Sequence, residues 1–210
     1  MPTAAQVALA IIGPVAHAAS WWVIRTGRRS IWSASGVTMA ALGILALVIG
    51  PVHGSERFGM AAAVGIGIAS GVALYGGTVA FLAVTTRTVP ALARQTSSLY
   101  QERGARSLVA TLAIPMLLSA PGEELLWRGT VLGVVEAWLG SLGAAAVVTW
   151  AGFVAVNLVS GSLPIVLGAV VGGAAWTALA WWTGGVAASV ACHVVWTGLM
   201  IAVPPPGARE

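Results

Sequence analysis

Glu123 and Glu124 stand side by side, with Arg128 four residues on, in the stretch Pro121-Gly122-Glu123-Glu124-Leu125-Leu126-Trp127-Arg128-Gly129 of a chain that is otherwise almost uncharged. On a helix, Glu124 and Arg128 are i,i+4 neighbours and can pair, whereas Glu123 is rotated by about 100° and is free to point elsewhere. One carboxylate is then structural, and the other is available as a general base acting on water. The alternative at this point is a closed ion-pair network of all three charges that locks helices together. Apolar runs of membrane length surround the stretch, and a charged side chain at the bilayer centre costs roughly 2.5 to 3.5 kcal/mol on insertion scales. The three groups must therefore face protein or water.

The elements that would hold them are helices. The chain has 210 residues, 58% of them hydrophobic and 8% charged, with a mean hydropathy of +0.92, which is far from the composition of a soluble domain. Its formal charge of +4 comes from arginine without lysine, and the arginines gather in short segments between apolar runs, so nucleic acid is not an expected partner. A single cysteine, Cys192, excludes an internal disulfide and cysteine metal clusters, and is read as a small helix-packing residue. The pattern predicts an all-α polytopic membrane protein with about seven or eight transmembrane helices, since roughly 20 apolar residues span a hydrocarbon core as helix. The runs extend from Ala4 to Ile24, Ile31 to Val52, Gly59 to Val84, Leu108 to Trp138, Ser141 to Val159, Ser162 to Trp182 and Gly185 to Val203. The fourth is too long for one simple span, and Pro121 is expected to divide it, ending one segment at Ser119. Ala16-His17-Ala18 faintly resembles a signal-peptidase site, but no positive charge precedes that run, which is read as a first span.

The organisation expected is N-terminal transmembrane helices over 1–84, a polar cytoplasmic connection over 85–107, a catalytic core over 108–203 and a tail over 204–210 that ends the last helix. Arg25, Arg28 and Arg29 fall in the first loop and Arg87, Arg94, Arg103 and Arg106 in the third, against Arg57 alone with Glu56 in the second. The positive-inside rule puts the first and third loops in the cytoplasm and the amino terminus outside. Trp32, Trp138, Trp181 and Trp182 at span ends fit interfacial anchoring. The small-xxx-small spacings at Gly67 and Gly71 and at Gly168 and Gly172 are read as places where helices approach closely. Later runs offer polar partners at helical spacing: Phe153 with Asn157, and His193 with Trp196 and Thr197. His17 and His53 belong to no recognisable spacing and are read as bland.

Glu123-Glu124-Leu-Leu-Trp-Arg128-Gly129 resembles the EExxxR motif of the CAAX prenyl protease and bacteriocin-processing (CPBP, or Abi) family of intramembrane proteases. The glycine-rich sixth run, followed by Trp181-Trp182-Thr183-Gly184-Gly185-Val186-Ala187-Ala188-Ser189 and His193, is similar to the family's TGS-type turn leading into HxxxN, and the likeness runs from about Leu112 to Leu199. It implies that Glu123 activates water, that Glu124 and Arg128 support it, and that His193 steadies the water or the oxyanion. Two positions depart: Phe153-Val-Ala-Val-Asn157 stands where the family has FxxxH, and Thr197 stands where the last motif ends in Asn or Asp. Asn157 can orient water or donate to an oxyanion, but it cannot serve as a base.

The resemblance implies a peptide or membrane-protein substrate, a lipid environment and, with arginine replacing lysine throughout, a bacterial plasma membrane. No cofactor is expected; a zinc ion on Glu123 and His193 is the less favoured option, since zinc sites take three or four His, Cys or carboxylate ligands. Rival chemistries fail by inventory. The chain has no aspartate for a two-aspartate protease and no HExxH, and Gly67-Ile-Ala-Ser70-Gly71 has the wrong spacing for a rhomboid-like serine. A catalytically degenerate relative, acting as scaffold or in bacteriocin immunity, is the stronger rival, with Asn157 and Thr197 as its basis. A small transporter is the third, without an inverted repeat to support it.

Overall fold

The computed structural model describes residues 1–50, 56–101 and 107–205, and among them there is helix and no strand. His53, Arg103, Arg106 and the tail from 206 lie outside the described residues. Eight helical rods follow one another: α1 (Ala4–Arg25), α2 (Ile31–Ile49), α3 (Met60–Thr88), α4 (Pro90–Gln101), α5 (residues 108–139), α6 (Leu142–Leu158), α7 (Leu163–Thr183) and α8 (Ala187–Ala202). Their starts follow from local chemistry. Thr3 and Gln6 form a reciprocal capping box before α1, and the hydroxyls of Ser30 and Ser141 accept the backbone N–H groups of Ser33 and Ala144 at the starts of α2 and α6. Gly140 and Gly184, at φ 65° and 84°, close α5 and α7 in the left-handed conformation that a Cβ disfavours.

Four helices, α1, α2, α3 and α7, are long and apolar enough to cross a membrane, while α6 and α8 are apolar but shorter. Side chains such as Val37, Ile44, Leu47 and Val48 of α2, Val84 of α3 and Val171 of α7 are exposed, so the apolar surface faces outward as it does toward lipid. The protein is an integral membrane protein built of helices. Trp138, Trp181 and Trp182 are half-exposed at helix ends, at 59, 49 and 49%, and Trp32, at the start of α2, is partly buried and lines a cavity.

Two expectations change. Pro121 does not divide the fourth run: residues 108–139 form one continuous helical rod whose ladder widens twice into π turns, at Pro115–Ser119 and Leu125–Val131. A proline removes one i→i−4 bond and crowds the preceding turn; the wider turn absorbs both. The N–H of Ala120 reaches back to Pro115 O and that of Leu132 to Trp127 O, each five residues away. The polar connection, in turn, contains a helix of its own, α4, with Leu92 and Thr96 buried. Gln95 Oε1 accepts the N–H of Leu163 at 2.7 Å, and Tyr100 donates to Met200 O at 2.8 Å, so α4 ties the start of α7 to the end of α8.

Glycine sets the packing around α5 and α8. A Cβ on Gly43 would stand 2.7 Å from Cα of Gly122, so α2 and α5 touch backbone to backbone beside Glu123. Gly67 and Gly71 bring α3 against Ala188 O and Cys192 O of α8, the close approach that their spacing predicts. Gly168 and Gly172 do something else: they seat the indoles of Trp196 and Trp176.

Candidate active site

Between the two π turns of α5 lies the short segment Ala120–Glu124, and the acidic pair leaves it in two directions. Glu124 is wholly buried, and its Oε1 accepts from Arg128 Nη1 at 3.0 Å. The same oxygen lies 2.9 Å from His193 Nδ1 of α8. An ionised carboxylate can only accept, so Nδ1 carries the proton and Nε2 is left as the ring nitrogen without a protein partner among the described residues. The expected Glu124–Arg128 pair is therefore present, and it includes His193 as a third member. His193 touches the second glutamate of the doublet directly.

Arg128 is held from every side. Its Nε and Nη2 donate to Thr177 Oγ1 at 3.1 and 3.0 Å, Nη2 also donates to Gly173 O at 2.9 Å, and the guanidinium lies 4.6 Å over the Phe153 ring. The Thr177 hydroxyl donates in turn to Gly173 O at 2.7 Å. Thr177 and Gly173 were missed by sequence reasoning, although a Gly-xxx-Thr pair on one face of a glycine-rich helix was a readable sign. Gly173 serves twice, since a Cβ there would meet Phe153 at 2.8 Å.

Glu123 is half-buried, has no hydrogen-bond partner among the described residues and lines a cavity of about 610 Å³. Asn157 of α6 and His193 and Thr197 of α8 line the same cavity, so four of the six expected site residues share one space and Glu124 and Arg128 close its back. Its remaining walls are mainly apolar and include Trp21, Phe81, Leu99 and Ile165. Asn157 donates one amide hydrogen to Phe153 O of its own helix at 2.8 Å, which leaves its second hydrogen and its carbonyl oxygen for the cavity.

His17 proves not to be bland. It is fully buried in α1, its Nδ1 accepts from Trp127 Nε1 at 3.2 Å, and its ring meets Trp127 edge-on at 6.2 Å. The first helix thus supports the tryptophan inside the acidic motif. Among the described residues no group of three His, Cys, Asp or Glu side chains is placed to hold a metal ion.

Residues 105–199 match the family model described as type II CAAX prenyl endopeptidase Rce1-like. No curated protein and no solved structure matches the chain.

Proposed function

We propose that this membrane protein, whose residues 105–199 match the Rce1-like type II CAAX prenyl endopeptidase family model, is an intramembrane endopeptidase whose attacking water is activated by Glu123. One observation carries the reading: Glu123, Asn157, His193 and Thr197 come from three different helices to one cavity, with a sealed Glu124–Arg128 pair behind them. Such an arrangement separates the two carboxylates by role. Glu124 is engaged at Oε1 by a guanidinium and an imidazole and is shut away from solvent, its buried Oε2 having no hydrogen-bond partner among the described residues, whereas Glu123 keeps its oxygens free for water.

In this mechanism Glu123 takes a proton from water as the oxygen attacks the peptide carbonyl carbon, and the carbonyl becomes a tetrahedral oxyanion. His193, its Nδ1–H committed to Glu124, accepts the other hydrogen of the water at Nε2 and so aims it. The second amide hydrogen of Asn157 donates to the oxyanion. As the intermediate collapses, the C–N bond breaks and Glu123 returns its proton to the leaving nitrogen. Thr197, one turn beyond His193, is assigned to hold the substrate backbone. No metal takes part; the substrate is a peptide or membrane-protein segment, and the setting is a bacterial plasma membrane.

Cleavage of a peptide substrate in liposomes, with and without chelator, tests this. Glu123→Ala is expected to abolish turnover and His193→Ala to lower it by about 10²- to 10⁴-fold, the range for a positioned acid–base group, while chelator has no effect. The degenerate-scaffold reading rests on Asn157 and Thr197, and the structure adds that the asparagine, in the position of a motif histidine, spends one hydrogen on its own helix. Cleavage that appears only in Asn157→His would establish it.

A further inference from the structure

Besides its bond to Glu124 and a tilted contact with Trp196 at 6.3 Å, the His193 ring makes one stacking contact among the described residues, and the bond and the stack together leave it little freedom. The imidazole lies face to face with the indole of Trp176, with ring centroids 3.6 Å apart and an angle of 14° between planes. Trp176 meets Phe153 and Trp196 edge-on, at 6.3 and 5.6 Å and at 76° and 66°. Aromatic pairs ordinarily sit about 4.5–7 Å apart, offset or edge-to-face, so a parallel overlap this close covers one whole face of the imidazole.

The indole lies as it does because of Gly172. Helical side chains lean back over the preceding turn, and Trp176 lies along α7 across residue 172. A Cβ there would come within 2.9 Å of both Cζ2 and Cη2 of the indole. A rigid bicyclic ring cannot yield at that edge without lifting away from His193. Trp176 is itself 2% exposed, and among the described residues its Nε1 faces no polar group stronger than the Cys192 thiol, so stacking and edge contacts do most to hold it in place.

A hydrogen bond at Nδ1 fixes the direction of one edge of an imidazole; it does not fix the plane of the ring. We propose that Trp176, laid flat on Gly172, is a positioning residue that sets the plane of the His193 imidazole, so that Nε2 is presented in one orientation and one tautomer. This rests on the peptidase reading for its catalytic consequence, but the placement of His193 stands on geometry alone.

The test uses full-length protein in detergent with isotopically labelled histidine. The chain has three histidines, and the His193 signals are those missing in His193→Gln. In the wild type, the His193 ring protons should be displaced upfield by the indole, and the nitrogen shifts should report a single Nδ1–H tautomer. Trp176→Leu and Gly172→Val, the second of which leaves the indole in the chain, should both remove the displacement and mix the tautomers, while Trp176→Phe should keep most of both. In the peptide assay, kcat should fall about 10- to 100-fold in Trp176→Leu and Gly172→Val with KM little changed, as for a misplaced catalytic group, and recover in Trp176→Phe. Wild-type ring shifts and tautomer in folded Trp176→Leu, or undiminished kcat in that variant, overturn the proposal. A wild type that cleaves nothing yet shows the displaced, single-tautomer His193 refutes the peptidase reading and upholds the placement.

Discussion

Arg128 carries the heaviest structural duty of any single side chain at the site. It neutralises Glu124, and its planar fork reaches Thr177 and Gly173 at the same time, with no solvent access at either charge. Removing one member of a buried pair leaves the other charge uncompensated, which costs about 3–5 kcal/mol. Arg128→Ala should therefore lower stability by that order in an unfolding titration of the detergent-solubilised protein. Arg128→Lys should also destabilise it, because a point charge cannot replace a fork with partners on two helices. A midpoint unchanged in Arg128→Ala would show that the pair contributes nothing. The pairing of Glu124 with Arg128 was legible from their spacing. The family resemblance brought His193 to the site, but its bond to Glu124 was not legible: the two lie 69 residues apart, and i,i+4 arithmetic sees only one helix. His17 is a sharper case, since its partner Trp127 lies 110 residues away and nothing in the neighbourhood of either residue points to the other.

Helix α5 shows how an element can contradict a local rule and still obey its chemistry. Proline at 121 signals a break, and the chain instead widens its helical ladder on both sides of the acidic pair. Hydrophobic runs locate the rods to within a few residues, but they contain no term for a π turn, so the continuity of residues 108–139 was not legible. The contact of α5 with α2 makes a discriminating prediction. A Cβ on Gly122 would collide with the backbone carbonyl of Met39, which cannot rotate away, whereas one on Gly129 would find its nearest neighbour at 3.7 Å. Gly122→Ala should lower stability by about 1–3 kcal/mol, the usual cost of overpacking, and should cut cleavage by moving Glu123. Gly129→Ala, although inside the same motif, should fold at least as well as the wild type, because alanine is the better helix former. Equal thermal midpoints for the two variants would mean that α2 and α5 are not in backbone contact.

At the scale of the whole molecule, the family match begins at residue 105, yet the site is completed by helices that precede it. Met39 and Gly43 of α2 fit the backbone of Gly122, His17 of α1 holds Trp127, and Gly67 and Gly71 of α3 lie along the α8 helix that carries His193. The arrangement also divides the charges between two ends of the bundle. At one end, Arg25 lies against Gly161 in the α6–α7 turn and Gln95 of α4 binds the start of α7, which gathers the first-loop arginines with Arg94. At the other, the N–H of Arg57 donates to Thr183 O and the N–H of Ala187 donates to Glu56 Oε1, both at 2.7 Å. The arginine count along the sequence and the pairing of helix ends in space thus agree on which loops lie together, and on the positive-inside rule the arginine-rich end is the one expected in the cytoplasm. Arg28, Arg57 and Arg94 are exposed and the lone Cys192 is 0% exposed, so single cysteines can report the sidedness without background. In intact cells a membrane-impermeant thiol reagent should label Arg57→Cys, and it should label Arg28→Cys and Arg94→Cys only after the membrane is opened. Labelling of Arg94→Cys and Arg57→Cys from the same side would break the topology, because α3 alone connects those two positions to opposite ends of the bundle.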